Sequence, residues 1–159
     1  APDDLSPIIP FIRKTAKDFK WVFMGGLPRE LIDLYQSGDV EYVSWKNLYS
    51  YSQAYSDLNL NFAIAPLQNN NFNLSKAPIK YLEAGALGVP CICQDVAPYN
   101  TNPIAPLRFN TPDELIDVIK TVGKDRRHYL TESDKARKVA TQFWLEDHIE
   151  EHVNVYFPS

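Results

Sequence analysis

Short apolar runs alternate with amphipathic segments along most of the chain. Five of these runs predict strands, namely KWVFMGG (20–26), VEYVSW (40–45), LNFAIAP (60–66), PCICQD (90–95) and APLRFN (105–110). Short runs that contain or adjoin Gly, Pro or Asn are typical of β-strands. The run at 60–66 is almost continuously apolar, which indicates a strand buried on both faces.

Amphipathic segments between these runs predict helices. They cover residues 7–19, 28–35, 47–55 and 111–122, and a further helix follows the polar loop 67–73. Pro28 and Thr111 mark helix starts, because Pro suits the first turn and a Thr hydroxyl can cap a free N–H. We predict an α/β fold, a three-layer Rossmann-like domain with a mainly parallel sheet of about five strands. Residues 1–159 would form one domain, with 124–159 as a helical C-terminal extension.

Composition and charge exclude several classes of function. The chain has 159 residues and a net charge of −4, and no block of Lys and Arg stands out, so no nucleic-acid partner is expected. No apolar run approaches the roughly 20 residues that a transmembrane helix needs. Cys91 and Cys93 lie two residues apart in one predicted strand. We interpret them as reduced core residues, which favours a cytoplasmic location.

A group of charged residues follows the third predicted strand. On a helix, Lys76, Lys80 and Glu83 share one ridge, because successive residues advance by about 100°. This helix would start at the carboxyl edge of the sheet, where open α/β sheets bind ligands. Free backbone N–H groups at Leu74, Ser75 and Lys76 can bind an anion such as phosphate, and Glu83 can accept hydrogen bonds from a sugar diol. These groups together predict a nucleotide site.

Two further expectations concern the same helix. Ile79, Leu82 and Ala86 form a separate apolar stripe that is predicted to face the sheet. A simpler role for the charged residues also remains open, in which Lys80 and Glu83 form a solvent-exposed ion pair at i,i+3 and Lys76 is merely exposed.

The sequence around this helix resembles a known family. The segment PLQNNNFNLSKAPIKYLEAGALGVPCICQDVAPY (66–99) is similar to the donor-binding segment of retaining GT-B glycosyltransferases. Pro66 ends a strand as in that family, and Glu83 stands at the position of its ribose-binding glutamate. GVP (88–90) supplies the turn before the next strand. Ser75 occupies the position of a second glutamate that the commoner members carry.

The resemblance implies a function and a set of site residues. The chain would be the C-terminal, donor-binding half of an enzyme that transfers a hexose from a nucleotide sugar in bacterial surface polysaccharide or glycoconjugate synthesis. Its partners would be the nucleotide sugar and an N-terminal acceptor-binding domain of the parent protein. No metal or cofactor is demanded, because cationic side chains and the helix dipole can neutralise the diphosphate. The implied catalytic residues are Lys76, Lys80 and Glu83, and the implied substrate-binding residues are Asn73, Leu74, Ser75, Trp45 and Tyr99.

Other functions remain open from the sequence. A GT-B-like half without catalysis would serve as a scaffold or protein-binding module, and sugar-nucleotide epimerases share the architecture. A phosphoacceptor signalling module also alternates strands and helices, but the first strand here ends in Gly25 and Gly26 rather than in acids. HIEEH (148–152) matches the pattern of inverted zinc peptidases, but the sequence indicates no third metal ligand, so a solvated C-terminal helix is favoured.

Overall fold

The computed structural model describes residues 2–100 and 107–149, which contain five strands, with helices between most of them. The strands are β1 (Trp21–Gly25), β2 (Val40–Ser44), β3 (Ala63–Ala65), β4 (Cys91–Gln94) and β5 (Arg108–Phe109). The helices are α1 (Pro2–Leu5), α2 (Ile9–Thr15), α3 (Ile32–Ser37), α4 (Leu48–Asp57), α5 (Asn71–Leu74), α6 (Ile79–Ala86), α7 (Pro112–Lys124) and α8 (Arg126–Thr141). Short 3-10 turns cover Ser6–Ile8, Arg29–Leu31 and Leu145–His148. Each strand falls within a predicted run, and the predicted α/β class is confirmed.

The strands form two parallel sheets instead of the single predicted sheet. β1 pairs with β2, and β3, β4 and β5 pair in that order, with every pairing parallel. Within the described residues no ladder joins β1 to β3, and a cleft lies between these two strands. The prediction of one five-stranded sheet is therefore wrong for this structure, because apolar runs reveal which segments are buried but not which edges pair.

Buried side chains cover both faces of the three-stranded sheet. Ile92 of β4 packs with apolar residues of α2 and α7. Cys91 and Cys93, its neighbours on the same strand, pack with residues of α6 and α8. Because side chains alternate along a strand, these two clusters lie on opposite faces of the sheet. The two thiols are buried with their sulfur atoms 3.7 Å apart, as expected for core residues.

Helix α6 begins later than the sequence predicts. Pro78 immediately precedes it, so the first helical residue is Ile79. Lys76 therefore lies in the turn between α5 and α6 and not on the helix itself. Proline explains the boundary, because it lacks a backbone N–H and is tolerated only at or before a helix start. The predicted common ridge of Lys76, Lys80 and Glu83 on one helix is thus wrong at its first member.

The buried face of α6 also differs from the predicted one. The structure buries Tyr81, Ala84 and Gly85. In the predicted stripe, Ile79 and Ala86 are exposed and Leu82 is only partly buried. The prediction fails because Ala84 and Gly85 are small enough to let α6 pack closely on α8, and this contact sets the rotation of the helix.

The C-terminal part of the described chain is helical. α7 begins after Thr111, whose hydroxyl accepts a hydrogen bond from the backbone N–H of Glu114 at 3.2 Å, which confirms the predicted cap. α8 then covers much of the first half of the predicted extension. Residues 150–159 of the predicted extension, His152 among them, lie outside the described residues. None of the helices described is both long and apolar enough to cross a membrane.

Candidate functional site

A cleft of about 950 Å³ opens between β1 and β3. Its interior is mainly apolar, whereas its mouth carries polar side chains from three helices, namely Asp4, Tyr51, Lys80 and Glu83. Gly26–Pro28, which follow β1, and Pro66, which follows β3, line the cleft as well. The mouth therefore lies where strands end and helices begin, the usual ligand-binding edge of α/β proteins.

Glu83 is held in place by a tyrosine on another helix. The hydroxyl of Tyr51 on α4 donates a hydrogen bond of 3.0 Å to Oε2 of Glu83 on α6. Burial raises the pKa of Tyr51 to about 12, and the negative charge of Glu83 adds to the shift. The phenol is therefore protonated at neutral pH and acts as a donor. Oε1 of Glu83 accepts no hydrogen bond from the described residues and can receive a ligand hydroxyl.

Lys80 lies one helical turn before Glu83 and has an exposed side chain. Among the described residues its ammonium group takes part in no ion pair, so the simpler role, an ion pair between Lys80 and Glu83, is wrong. The backbone N–H groups of Ile79 and Lys80 begin α6, and the first N–H groups of a helix have no partner within it. This end of the helix carries partial positive charge. Positive charge and a carboxylate thus meet at the cleft mouth.

The predicted phosphate-binding amides are used within the protein. The backbone N–H groups of Leu74, Ser75 and Lys76 donate to carbonyl oxygens of the same turn at 3.0, 3.3 and 3.1 Å. The prediction that these three groups are free is therefore wrong. The reason is that residues 71–74 form α5, a separate turn of helix, and the chain restarts as a helix only after Pro78.

Asp4 binds the side chains of two predicted site residues. Oδ1 of this carboxylate, which is only 3% exposed, accepts a hydrogen bond from Nδ2 of Asn73 at 2.9 Å. The backbone N–H of Gln68 donates to the same oxygen at 3.1 Å, and Nζ of Lys76 lies 3.3 Å from Oδ2. Lys76 is therefore neutralised by a protein carboxylate, and Asn73 is buried. Both residues hold the loop between β3 and α6 against the N-terminal segment.

The ionisation of Asp4 depends on these contacts. Burial alone would raise the pKa of Asp4, because it disfavours the charged form. The hydrogen bonds that the carboxylate accepts, first among them that from the Gln68 backbone, outweigh burial and lower the pKa to about 2. Asp4 is consequently ionised at neutral pH and attracts the ammonium group of Lys76.

Trp45 and Tyr99 lie in contrasting environments. Trp45 directly follows β2 and is 74% exposed, so its predicted contact with a base stays a prediction. Tyr99 is 3% exposed and packs in the core with Ala65 and Leu67. It does not line the cleft, and its predicted role in substrate binding is not supported by this position.

Tyr51 and Asp4 were not identified from the sequence. Tyr51 and Tyr55 are four residues apart on α4 and both line the cleft, so their shared helix face is a signal that could have found them. Asp4 has no comparable signal, because it meets Asn73 and Lys76 only through the tertiary fold.

No metal centre is evident in the part of the chain that the structure describes, since no three His, Cys, Asp or Glu side chains are grouped to hold an ion. Nε2 of His148 instead lies 2.8 Å from the carbonyl oxygen of Gln142. No protein-family model matches the sequence, and no curated protein is significantly similar to it.

Proposed function

We propose that this chain binds the nucleotide of a nucleotide sugar and forms the donor-binding half of a retaining GT-B glycosyltransferase. The observation that carries the proposal is the carboxylate of Glu83, fixed by Tyr51 at the cleft mouth beside the exposed Lys80. In this proposal Oε1 of Glu83 accepts hydrogen bonds from the ribose hydroxyls. Lys80 and the first N–H groups of α6 face the diphosphate, as expected for an anion at a helix start.

Four of the other predicted residues have indirect roles in this proposal, and Trp45 has a direct one. Lys76 and Asn73 position the loop before α6 through Asp4, and Leu74 and Ser75 complete its turn. Trp45, exposed after β2, stacks on the base. The partner that completes the active site is an N-terminal acceptor-binding domain of the parent protein. The proposed setting is bacterial surface polysaccharide or glycoconjugate synthesis.

The isolated chain is expected to bind a nucleoside diphosphate weakly and to transfer no sugar. Without the opposing domain a bound diphosphate stays exposed to water, so its ionic contacts remain screened. The acceptor is not oriented either, and the rate gain from proximity is lost. We expect a Kd of about 0.1–1 mM or weaker. Robust transfer from a radiolabelled donor by residues 1–159 alone would contradict the half-enzyme proposal.

Titration with UDP, GDP and ADP, followed by NMR, tests the site directly. Glu83→Gln should weaken binding of the best nucleotide by about 1–3 kcal/mol, the range for losing a charge-assisted hydrogen bond. Glu41→Gln is the matched control, because Glu41 sits near the start of β2 in an exposed ion pair with Lys20 at 2.9 Å. Unchanged affinity in Glu83→Gln would refute the ribose role, and no binding of any of the three nucleotides would refute the function.

A protein-binding module without catalysis is the second candidate, and exposed apolar side chains favour it. Trp45, Leu48 and Tyr49 are 74%, 86% and 96% exposed. Three large apolar residues so close together mark a surface that another protein can cover. A scaffold of this kind would show no chemical-shift change in the nucleotide titration, so the same experiment separates the two candidates.

A further inference from the structure

The cleft is bounded by two strand edges that face each other. β1 pairs only with β2, and β3 pairs only with β4, so within the described residues each has one edge without a neighbouring strand. Residues from both strands line the cleft, including Val22 and Phe23 on one side and Ala63 and Ile64 on the other. A strand edge presents backbone N–H and C=O groups that form hydrogen bonds with any strand placed beside them.

The size of the cleft matches one missing strand. A strand advances about 3.3 Å per residue, lies about 4.8 Å from each neighbour, and occupies a layer about 10 Å thick. Five residues, the length of β1, therefore need roughly 800 Å³. The cleft measures about 950 Å³. A single extended segment fills this space, whereas direct closure of β1 on β3 would require both sheets to move together.

Helices wall the cleft on its two other sides. One side is lined by Ile8 and Ile12 of the N-terminal segment and by Ile119 of α7. These three residues belong to the same hydrophobic cluster as Ile92. Tyr55 and Leu58, at the end of α4, line it too. A strand in this position is consequently covered on both faces, and its side chains must be apolar on both faces, as in central parallel strands.

The course of α1 and α2 indicates where such a strand comes from and how it runs. Asp4 and Leu5 of α1 line the cleft, and Asp4 contacts Gln68 in the loop after β3, so the N-terminal segment starts at the carboxyl edge. The chain then passes through α2 and enters β1 at Trp21, at the opposite edge. A strand that feeds a helix at the carboxyl edge runs towards that edge, parallel to β1 and β3.

We propose that the cleft is the slot for a further parallel strand, supplied by the polypeptide that leads into α1 in the parent protein. The proposal rests on the proposed function only in taking this chain as the C-terminal half of a longer protein. The strand joins the two sheets into one six-stranded sheet, in the order β2, β1, the added strand, β3, β4 and β5. Its carboxyl end lies at the cleft mouth beside Glu83 and Lys80.

Amide hydrogen exchange measured by NMR tests the slot. The chain 1–159 is compared with the same chain extended by about ten natural residues upstream, the number that spans the slot and joins it to α1. In the extended chain, we expect the amide hydrogens of β1 and β3 that face the cleft to exchange at least about 100-fold more slowly, because they form hydrogen bonds with the added strand. Amides of α7 serve as the internal reference. Nuclear Overhauser contacts from the added residues to both strands should appear.

A matched control replaces the two central added residues by proline, which cannot donate to a ladder and should abolish the protection. Should the extended chain not fold, a synthetic peptide of the same upstream residues is added to residues 1–159 and should protect the same amides. Unchanged exchange in both formats overturns the proposal, as do direct contacts between β1 and β3 in the unextended chain. These measurements need no nucleotide, so a failed nucleotide titration leaves their result interpretable.

Discussion

Gly85 is the position where the structure makes the sharpest stability prediction. It lies on the face of α6 that packs against α8, and a Cβ added there would be 2.5 Å from the carbonyl oxygen of Ala136 and 3.2 Å from Cβ of Ala140. Alanine gains up to about 1 kcal/mol over glycine in helix propensity. Overpacking costs about 1–3 kcal/mol. The upper part of this range applies here, because the added methyl group meets the backbone of α8, which cannot rotate away as a side chain can. Gly85→Ala should therefore lower the free energy of unfolding by about 1–2 kcal/mol, or Tm by about 2–8 °C.

Gly123 provides the matched control for this substitution. It lies near the end of α7, and the nearest atom to an added Cβ is a ring carbon of Phe62 at 3.6 Å, an ordinary contact. Gly123→Ala should raise the free energy of unfolding by about 0.5 kcal/mol through helix propensity and reduced freedom of the unfolded chain. Urea unfolding followed by circular dichroism measures both variants. If Gly85→Ala is as stable as Gly123→Ala, α6 and α8 do not pack as closely as the structure shows.

Two further predictions concern the cleft mouth. Asp4 has a pKa of about 2, below the ordinary value of 3.8, so its contribution to stability is complete above about pH 4 and is lost as the pH falls towards 2. Urea unfolding across this range should show a falling free energy of unfolding in the wild type. Asp4→Asn should be less stable than the wild type at pH 7 by about 1–2 kcal/mol, and its free energy of unfolding should fall less with pH. The same pH dependence in both proteins would contradict this role of Asp4. Tyr51→Phe removes the donor to Glu83 and should weaken nucleotide binding about three- to tenfold in calorimetry, while Tyr49→Phe, in a fully exposed position, should not. Equal affinities in these two variants would mean that Tyr51 does not orient the carboxylate.

The strands could be predicted from sequence because their apolar runs are short and sharply bounded. β3 lies within the run at 60–66 and β4 within the run at 90–95. β4 is largely buried as predicted, whereas in β3 only Ala65 is buried, because Ala63 and Ile64 line the cleft. How the strands are distributed between sheets could not be predicted. The pattern of apolar residues indicates how deeply each strand is buried. It does not indicate which strands pair, and the separation of β1 from β3 depends on what lies between them.

The candidate site was predictable only where local spacing decides the geometry. Lys80 and Glu83 are three residues apart on one helix, so their common position at the cleft mouth follows from the helical period. Lys76 shows the opposite case. Its partner Asp4 lies 72 residues earlier in the chain, and no local pattern indicates that a buried carboxylate holds this lysine.

The charges at the cleft mouth explain why the proposed donor site depends on a second domain. Asp4 neutralises Lys76, so within the described parts of the chain the charged side chains left to face a ligand at the mouth are Lys80 and Glu83, and their charges cancel. The start of α6 adds only about half an elementary positive charge. A nucleoside diphosphate carries more negative charge than this balance can offset, although Glu83 still suits the neutral ribose hydroxyls. We therefore propose that the two halves bind different parts of the donor. This half recognises the nucleoside through Glu83 and Tyr51, and cationic groups of the facing domain supply most of the attraction for the diphosphate.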